Sequence, residues 1–178
     1  MSARVASAPV PTVWFTGLSG AGKTTLARAV ADLLTAADRA AHVVDGDELR
    51  AGLSADLGFS LADRAEQVRR AGHVARLLGD AGVVPLVALV SPVAADRDAV
   101  RALHGPGRFL EVHVATPLEV CEARDVKGLY ARARAGEVER MTGVAQGYEP
   151  PTAPELVVDG SDAATLADAA AKVVALLG

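Results

Sequence analysis

Lys23 and Thr24 close the run "GLSGAGKTT", Gly17 to Thr25, which sits between the apolar "TVWF" and the helical pattern "LARAVADLL". Gly17, Gly22, Lys23 and Thr24 fit G-x-x-x-x-G-K-[ST] after a predicted strand and before a predicted helix, the context that gives this pattern its meaning. Glycines let backbone N–H groups curl around phosphate oxygens, and the helix that follows adds its positive N-terminal end. Gly17, Leu18, Ser19, Gly20, Ala21 and Gly22 would form the cradle, with Thr25 on the first helical turn. Lys23 would reach the β- and γ-phosphates, and the Thr24 hydroxyl would ligate Mg²⁺. A glycine-rich turn without a ligand has no need of lysine, hydroxyl, strand and helix in register. The pattern therefore points to a nucleoside triphosphate.

A second group of residues could serve an acceptor. "VVDGDELR" places Asp45 and Asp47 at the end of a strand. In an extended chain, positions i and i+2 face the same way, so both carboxylates could point into the site. One would organise Mg²⁺ or take a hydroxyl proton; the plainer alternative is a turn, because Asp-Gly is a common turn pair. Arg50 and Arg64 could hold an anion through forked, charge-assisted hydrogen bonds. Phe59, one of six aromatic residues in the chain, lies in a Gly-Phe-Ser turn where a base could stack on it, although a core anchor would also be aromatic.

The branch of the phosphate-loop class follows from what is missing. A GTPase would show D-x-x-G after a strand and an N-K-x-D base reader; "RDVKG" resembles the latter only superficially. An ATPase motor would be larger and carry Asp at the end of an apolar strand, whereas the third strand here ends in "LVSP". Small kinases remain, with a nucleotide donor on one side and an alcohol or phosphate acceptor on the other.

The elements that must position these residues read as one α/β domain over 1–178. With 178 residues the chain can bury roughly two-thirds of its unfolded surface. Charged residues at 22% against 51% hydrophobic exclude a disordered chain, and a net charge of −4 with dispersed cations argues against a nucleic-acid surface. The single cysteine, Cys121, forbids an internal disulfide and reads as a packed helix residue. The four histidines lack paired spacing, so no structural metal is expected, and His113 reads as a strand residue. The longest apolar stretch, "VVPLVALV", is too short to cross a membrane. The N-terminus lacks a signal-peptide pattern, so a cytoplasmic protein without a membrane partner is expected.

Strands are predicted at 13–16, 42–44, 83–90, 109–114 and 156–158, and helices at 23–35, 60–81, 94–103 and 162–177. That alternation predicts a central five-stranded parallel sheet between two helical layers. Ser60 and Asp63 resemble a capping pair. The stretch from "RDVKGLY" to "GYEPPTAPE" interrupts the rhythm, being charged, glycine- and proline-rich, and short of core-facing residues. Such an excursion is commonly a lid; it is expected over 124–150, with residues 1–12 as a flexible N-terminus.

"GLSGAGKTT", "DGDELR", "LGFSLADR", "VSPVAADR", "PLEVCEARDVKGLYARARAGEVERMTGV" and "YEPP" together resemble the adenylylsulfate kinase (APS kinase) family in order and spacing, over roughly 13–158. The resemblance implies a P-loop NTPase three-layer α/β/α sandwich. It also implies transfer of the γ-phosphoryl of ATP to the 3′-hydroxyl of adenosine 5′-phosphosulfate, with Mg²⁺, and often a homodimer. Carried over by position, Asp45 serves the acceptor hydroxyl and Mg²⁺. Arg50 and Arg64 hold the phosphosulfate or its nucleoside, with Asp47 and Gln67 beside them. Phe59 matches an adenine-stacking aromatic. Ser91 matches a serine described as a phosphoserine intermediate. In-line transfer needs no covalent step, which leaves Ser91 a contact to the acceptor. Arg124 and Lys127 would steady the nucleotide from the base of the lid.

The chain also departs from the family. Glu48 and Gln67 stand where it often has Asn, Val93 where it has a large residue, and Ala131-Arg132 where it has two lysines. Met141-Thr142-Gly143 replaces Phe-Thr-Gly, so one half of the expected aromatic clamp is methionine. Two other readings are a kinase for a different nucleotide or specialised-metabolite alcohol and a catalytically idle nucleotide-binding module.

Overall fold

A computed structural model describes residues 8–137, 141–144 and 146–178. Residues 1–7 of the expected flexible N-terminus, and 138–140 and 145 of the expected lid, lie outside the described residues. From Val10 the chain is tied down, its N–H donating to the Gly79 carbonyl at 3.0 Å.

Five strands, β1 (Thr12–Thr16), β2 (Ala41–Asp45), β3 (Val84–Ala88), β4 (Phe109–Val114) and β5 (Leu156–Val158), form one sheet in the order β2-β3-β1-β4-β5. Every pairing is parallel. The central strand β1 shows why the sheet needs helices on both faces. Its side chains alternate, Val13 and Phe15 entering one core and Trp14 the other, and all are fully buried. On the Val13 face pack α1 (Lys23–Ala36) and α7 (Ala163–Leu176), through Leu26, Val30, Leu34 and Val173. On the Trp14 face pack α3 (Leu61–Asp80) and α4 (Ala94–His104), through Val68, Ala71, Ala75 and Val100. This is the expected three-layer α/β/α sandwich.

The start of α3 bears out the capping pair. Ser60 Oγ accepts the Asp63 N–H at 3.1 Å, and Asp63 Oδ2 accepts the Ser60 N–H at 3.2 Å. Two short helices, α2 (Gly46–Ala51) and α6 (Leu129–Arg134), went unread, and a third, α5 (Leu118–Arg124), was read only through Cys121. The third strand ends at Ala88 rather than residue 90, because the chain turns at Ser91, whose φ is +39°. Cys121 is buried on α5 and His113 lies in β4, as read from the sequence. The 124–150 excursion does contribute core, since Tyr130 and Met141 are 3% and 5% exposed and join the cluster around Val13 and Phe15. No helix among the described residues is long and apolar enough to cross a membrane.

Candidate active site

The loops that follow β1, β2 and β3 meet at the carboxyl edge of the sheet, where open α/β folds bind ligands. The loop after β1 is held from outside, carbonyl by carbonyl. Lys23 Nζ donates to the carbonyls of Gly17 at 3.0 Å and Leu18 at 2.7 Å. Tyr130 Oη donates to Ser19 O at 2.8 Å, Arg124 Nη1 to Gly20 O at 3.2 Å, and Thr116 Oγ1 to Ala21 O at 2.7 Å. The Gly22 carbonyl accepts the Leu26 N–H at 2.9 Å as α1 begins. With its carbonyls fixed outward, the loop has N–H groups to offer an anion.

Two glycines make this close packing possible. A Cβ on Gly17 would stand 2.4 Å from the Val114 carbonyl oxygen, and one on Gly160 would stand 2.3 Å from that of Ala21. The N-cap of α1, Gly22, is left-handed and makes no side-chain cap hydrogen bond, and the positive end of this fourteen-residue helix follows the loop directly.

Lys23 is nearly buried, and burial together with the nearby charge of Lys127 pushes its pKa down to about 8. Lys23, with the Lys127 charge acting on it, gives the loop the positive charge that an anion would need. Thr24 Oγ1 donates to Asp45 Oδ2 at 2.6 Å. A hydroxyl and a carboxylate at the loop's edge are the hard oxygen donors Mg²⁺ takes alongside water and substrate phosphates. Among the described residues no group of three or more His, Cys, Asp or Glu could hold a metal by itself. The Thr24 hydroxyl and Asp45 carboxylate fit an ion that arrives with a nucleotide.

The pair Asp45 and Asp47 requires a correction. Both line the cavity around the phosphate loop, but not from an extended chain, because helix begins at Gly46. Asp45 is the N-cap of α2, its Oδ1 accepting the Asp47 N–H at 2.8 Å. Asp47, two residues on, forms an ion pair with Lys127. Gln67 is buried beneath this start, donating from Nε2 to the Gly46 carbonyl at 2.9 Å.

Two cavities adjoin here. One, of about 680 Å³, surrounds the phosphate loop and includes Lys23, Thr24, Asp45, Arg124 and Leu166 in its wall. The second, of about 670 Å³, is walled by Phe59, Leu129, Met141 and Thr142. They share Ser19, Asp47, Arg64 and Lys127, so the Asp47–Lys127 pair stands at their junction.

Phe59 is 56% exposed, which rules out the core-anchor alternative. The Arg50 guanidinium carbon lies 4.3 Å from its ring centroid, and that of Arg64 lies 5.6 Å away. Arg50 also donates to the Gly58 carbonyl at 2.8 Å, and Arg64 Nε donates to the Phe59 carbonyl at 3.2 Å. Burial lowers the pKa of both guanidinium groups. Arg124, besides its bond to Gly20, donates to the carbonyls of Gly160 at 2.8 Å and Ser161 at 2.6 Å, tying the phosphate loop to the start of α7.

Ser91 is not brought to either cavity, contrary to the role expected of its hydroxyl. Its side chain turns into the sheet, where Oγ accepts the Trp14 indole N–H at 3.1 Å and donates to Thr16 Oγ1 at 3.0 Å. Thr116, Tyr130 and Gly160 were missed as supports of the phosphate loop. Only Tyr130 carried a signal, lying inside the "DVKGLY" block.

A phosphate loop with its lysine, a hydroxyl–carboxylate pair and a second cavity, all on a parallel sheet of this order, define a phosphate-loop kinase. The chain belongs to the adenylylsulphate kinase family, whose model matches residues 10–159. It is 55% identical over 165 residues to the adenylyl-sulfate kinase of Shewanella halifaxensis, covering 93% of this chain and 78% of that one. To the adenylyl-sulfate kinase of Shewanella denitrificans it is 58% identical over 149 residues, covering 84% and 73%. Among solved structures it is similar to the Mycobacterium tuberculosis APS kinase CysC in complex with AMPPNP and APS, with a TM-score of 0.91, 47% identity and coverage of 96% and 98%.

Proposed function

We propose that the chain transfers the γ-phosphoryl of ATP to the 3′-hydroxyl of adenosine 5′-phosphosulfate (APS), giving ADP and the 3′-phosphorylated product PAPS. The carrying observation is the pair of adjoining cavities, one built on the phosphate loop and the other on Phe59, Arg64 and Met141, joined at Asp47 and Lys127. ATP occupies the first cavity, its phosphates in the loop from Gly17 to Thr25 and its base toward Arg124 and Leu166. APS occupies the second, its adenine between Phe59 and Met141 and its anionic end toward Arg50, Arg64 and Lys127.

Lys23 neutralises charge on the transferred phosphoryl, which needs electrostatic stabilisation more than covalent help. Thr24 and Asp45 would hold Mg²⁺, which would supply charge neutralisation to the phosphates. Asp45 also orients the acceptor hydroxyl and receives its proton. Asp47 and Gln67 position the start of α2, and Ser91 shapes the wall after β3 rather than reacting. Residues 124–150 act as the lid over both substrates. Self-association as a homodimer belongs to this reading, as does residence in the cytoplasm. One structural neighbour is a hexameric APS kinase from Thiobacillus denitrificans, so light scattering should decide the assembly.

ATP consumption measured with and without APS tests the reaction, and phosphorus NMR identifies the product. A new 3′-phosphomonoester that appears only with APS is expected. Phosphate on another position, or turnover indifferent to APS, would assign the site to a different alcohol.

A further inference from the structure

Arg97 of α4 lines neither of the two cavities, yet its guanidinium joins three segments on which they depend. Nε donates to Glu111 Oε1 of β4 at 2.7 Å, with both side chains almost wholly buried. Nη1 donates to the Ser91 carbonyl at 2.7 Å, and Nη2 donates to the Glu149 carbonyl at 2.7 Å. Ser91 follows Ala88, Leu89 and Val90, which wall the nucleotide cavity. Glu149 ends the segment that carries Met141 and Thr142 over the second cavity.

Other bonds close the same clamp. The Glu149 N–H donates to the Pro92 carbonyl at 2.8 Å, and its carboxylate accepts the Ala94 N–H, at the start of α4, at 2.7 Å. Tyr148 Oη lies 3.0 Å from Thr16 Oγ1, and Thr16 is the residue immediately before Gly17. The Tyr148 ring also stacks on His113 of β4, centroids 5.8 Å apart.

We infer that Arg97 is a positioning residue for phosphoryl transfer: it fastens the return end of the 124–150 segment to the wall after β3, so that Met141 and Thr142 stand in register over the acceptor. The inference rests on the kinase reading above. A buried ion pair is a poor way to gain stability, because apolar residues of like volume commonly do as well or better. This one instead directs a rigid planar fork at a carboxylate and two carbonyls on separate segments, which an ammonium cannot match. Displacement of a positioned group by about 1 Å can cost on the order of a hundredfold in rate, so modest slack at the anchor is enough to be measured.

Arg97→Lys and Tyr148→Phe test this, the second removing one hydroxyl and leaving the ion pair whole. We expect Arg97→Lys to raise KM for APS about tenfold with KM for ATP within about twofold. Tyr148→Phe should act in the same direction by about threefold. Amide exchange at residues 146–149, measured with ADP bound and no acceptor, should quicken in both. A merely structural arginine would lower the active fraction and scale kcat, leaving the ratio of the two KM values and the local exchange unmoved. That result overturns the inference, and Tyr148→Phe alone decides it should Arg97→Lys not fold. If the wild type ignores APS while exchange at 146–149 still quickens, the acceptor assignment falls and the positioning role stands.

Discussion

The Thr24 hydroxyl donates to Asp45 Oδ2 across 2.6 Å, linking the first turn of α1 to the N-cap of α2. Oδ1 meanwhile accepts the Asp47 N–H, so on the proposed reading Asp45 has a structural duty through Oδ1 and a chemical one through Oδ2. Asp45→Asn separates them, since an amide oxygen can still cap Asp47 while the charge is lost. Stability should change by less than about 1 kcal/mol, within the range of a retained cap. Activity should fall by on the order of a hundredfold or more, the usual scale for losing a general base. A kcat within threefold of wild type would remove Asp45 from the chemistry.

Lys23→Met should cost activity on the order of a hundredfold or more, through lost stabilisation of the transferred phosphoryl. Its pH behaviour gives a second reading. The Lys23 pKa falls from 10.5 to about 8 on folding. Below about pH 8 both states are protonated and the burial penalty is fully present; above 10.5 both are neutral and it is gone. Between those limits the unfolded chain binds more protons, so stability rises with pH. The rise is at most about 3 kcal/mol, at about 1.4 kcal/mol per pH unit. Denaturant titrations from pH 7 to 10.5 should show this rise in wild type and not in Lys23→Met, and ADP should flatten it. Parallel curves for the two proteins would contradict the buried ammonium.

Much of this site was legible in the sequence because its chemistry is local. Gly17 and Gly22 matter through backbone geometry and Lys23 and Thr24 through side chains on the helix that follows, all within eight residues, so their types and spacing carry the reading. Ser60 and Asp63 cap a helix across three residues for the same reason. Asp45 and Asp47 do wall one cavity, but from a helix start that the sequence hid, because alternation holds only while the chain stays extended and a six-residue helix beginning with glycine gives no periodic signal. The supports of the phosphate loop were invisible for a different reason. Thr116 lies 95 residues from Ala21 and Tyr130 lies 111 from Ser19, so only the folded chain brings them together. Ser91 shows the converse, a residue given a role by family resemblance while its hydroxyl turns inward to Trp14 and Thr16 at a position with φ +39°.

Arg50 and Phe59 should not act independently. Arg50 holds the Gly58 carbonyl and covers the Phe59 ring at 4.3 Å, so removing it frees the aromatic as well as the charge. Arg50→Ala and Phe59→Ala should each raise KM for APS well beyond KM for ATP. The double variant should fall short of their sum by roughly 0.5–3 kcal/mol, the range for residues in contact. Additive losses would mean that Arg50 reaches the acceptor without Phe59.

Met141 offers the sharpest test of what fills the second cavity. It is 5% exposed, belongs to the core cluster around Val13 and Phe15, and also walls the second cavity, as Phe59 does. Against an aromatic ligand, methionine supplies a flexible sulfur contact worth about 0.3–1.5 kcal/mol. A stacked ring supplies about 1–3 kcal/mol. Met141→Phe should therefore tighten APS by roughly 1 kcal/mol, about five- to tenfold, and leave ATP affinity unchanged. Because the site is packed, the rigid ring should also lower the melting temperature of the free protein, as overfilled cores do by about 1–3 kcal/mol. Calorimetric titration of APS into the ADP complex, with thermal unfolding of the free protein, checks both halves. Tighter APS with a less stable apoprotein would show that Met141 faces the acceptor base. Unchanged APS affinity would confine Met141 to the core. A wild-type kcat/KM for APS well below about 10⁴ M⁻¹s⁻¹, the low end for enzymes, combined with a large gain in the variant, would mean that methionine shapes the pocket for another acceptor.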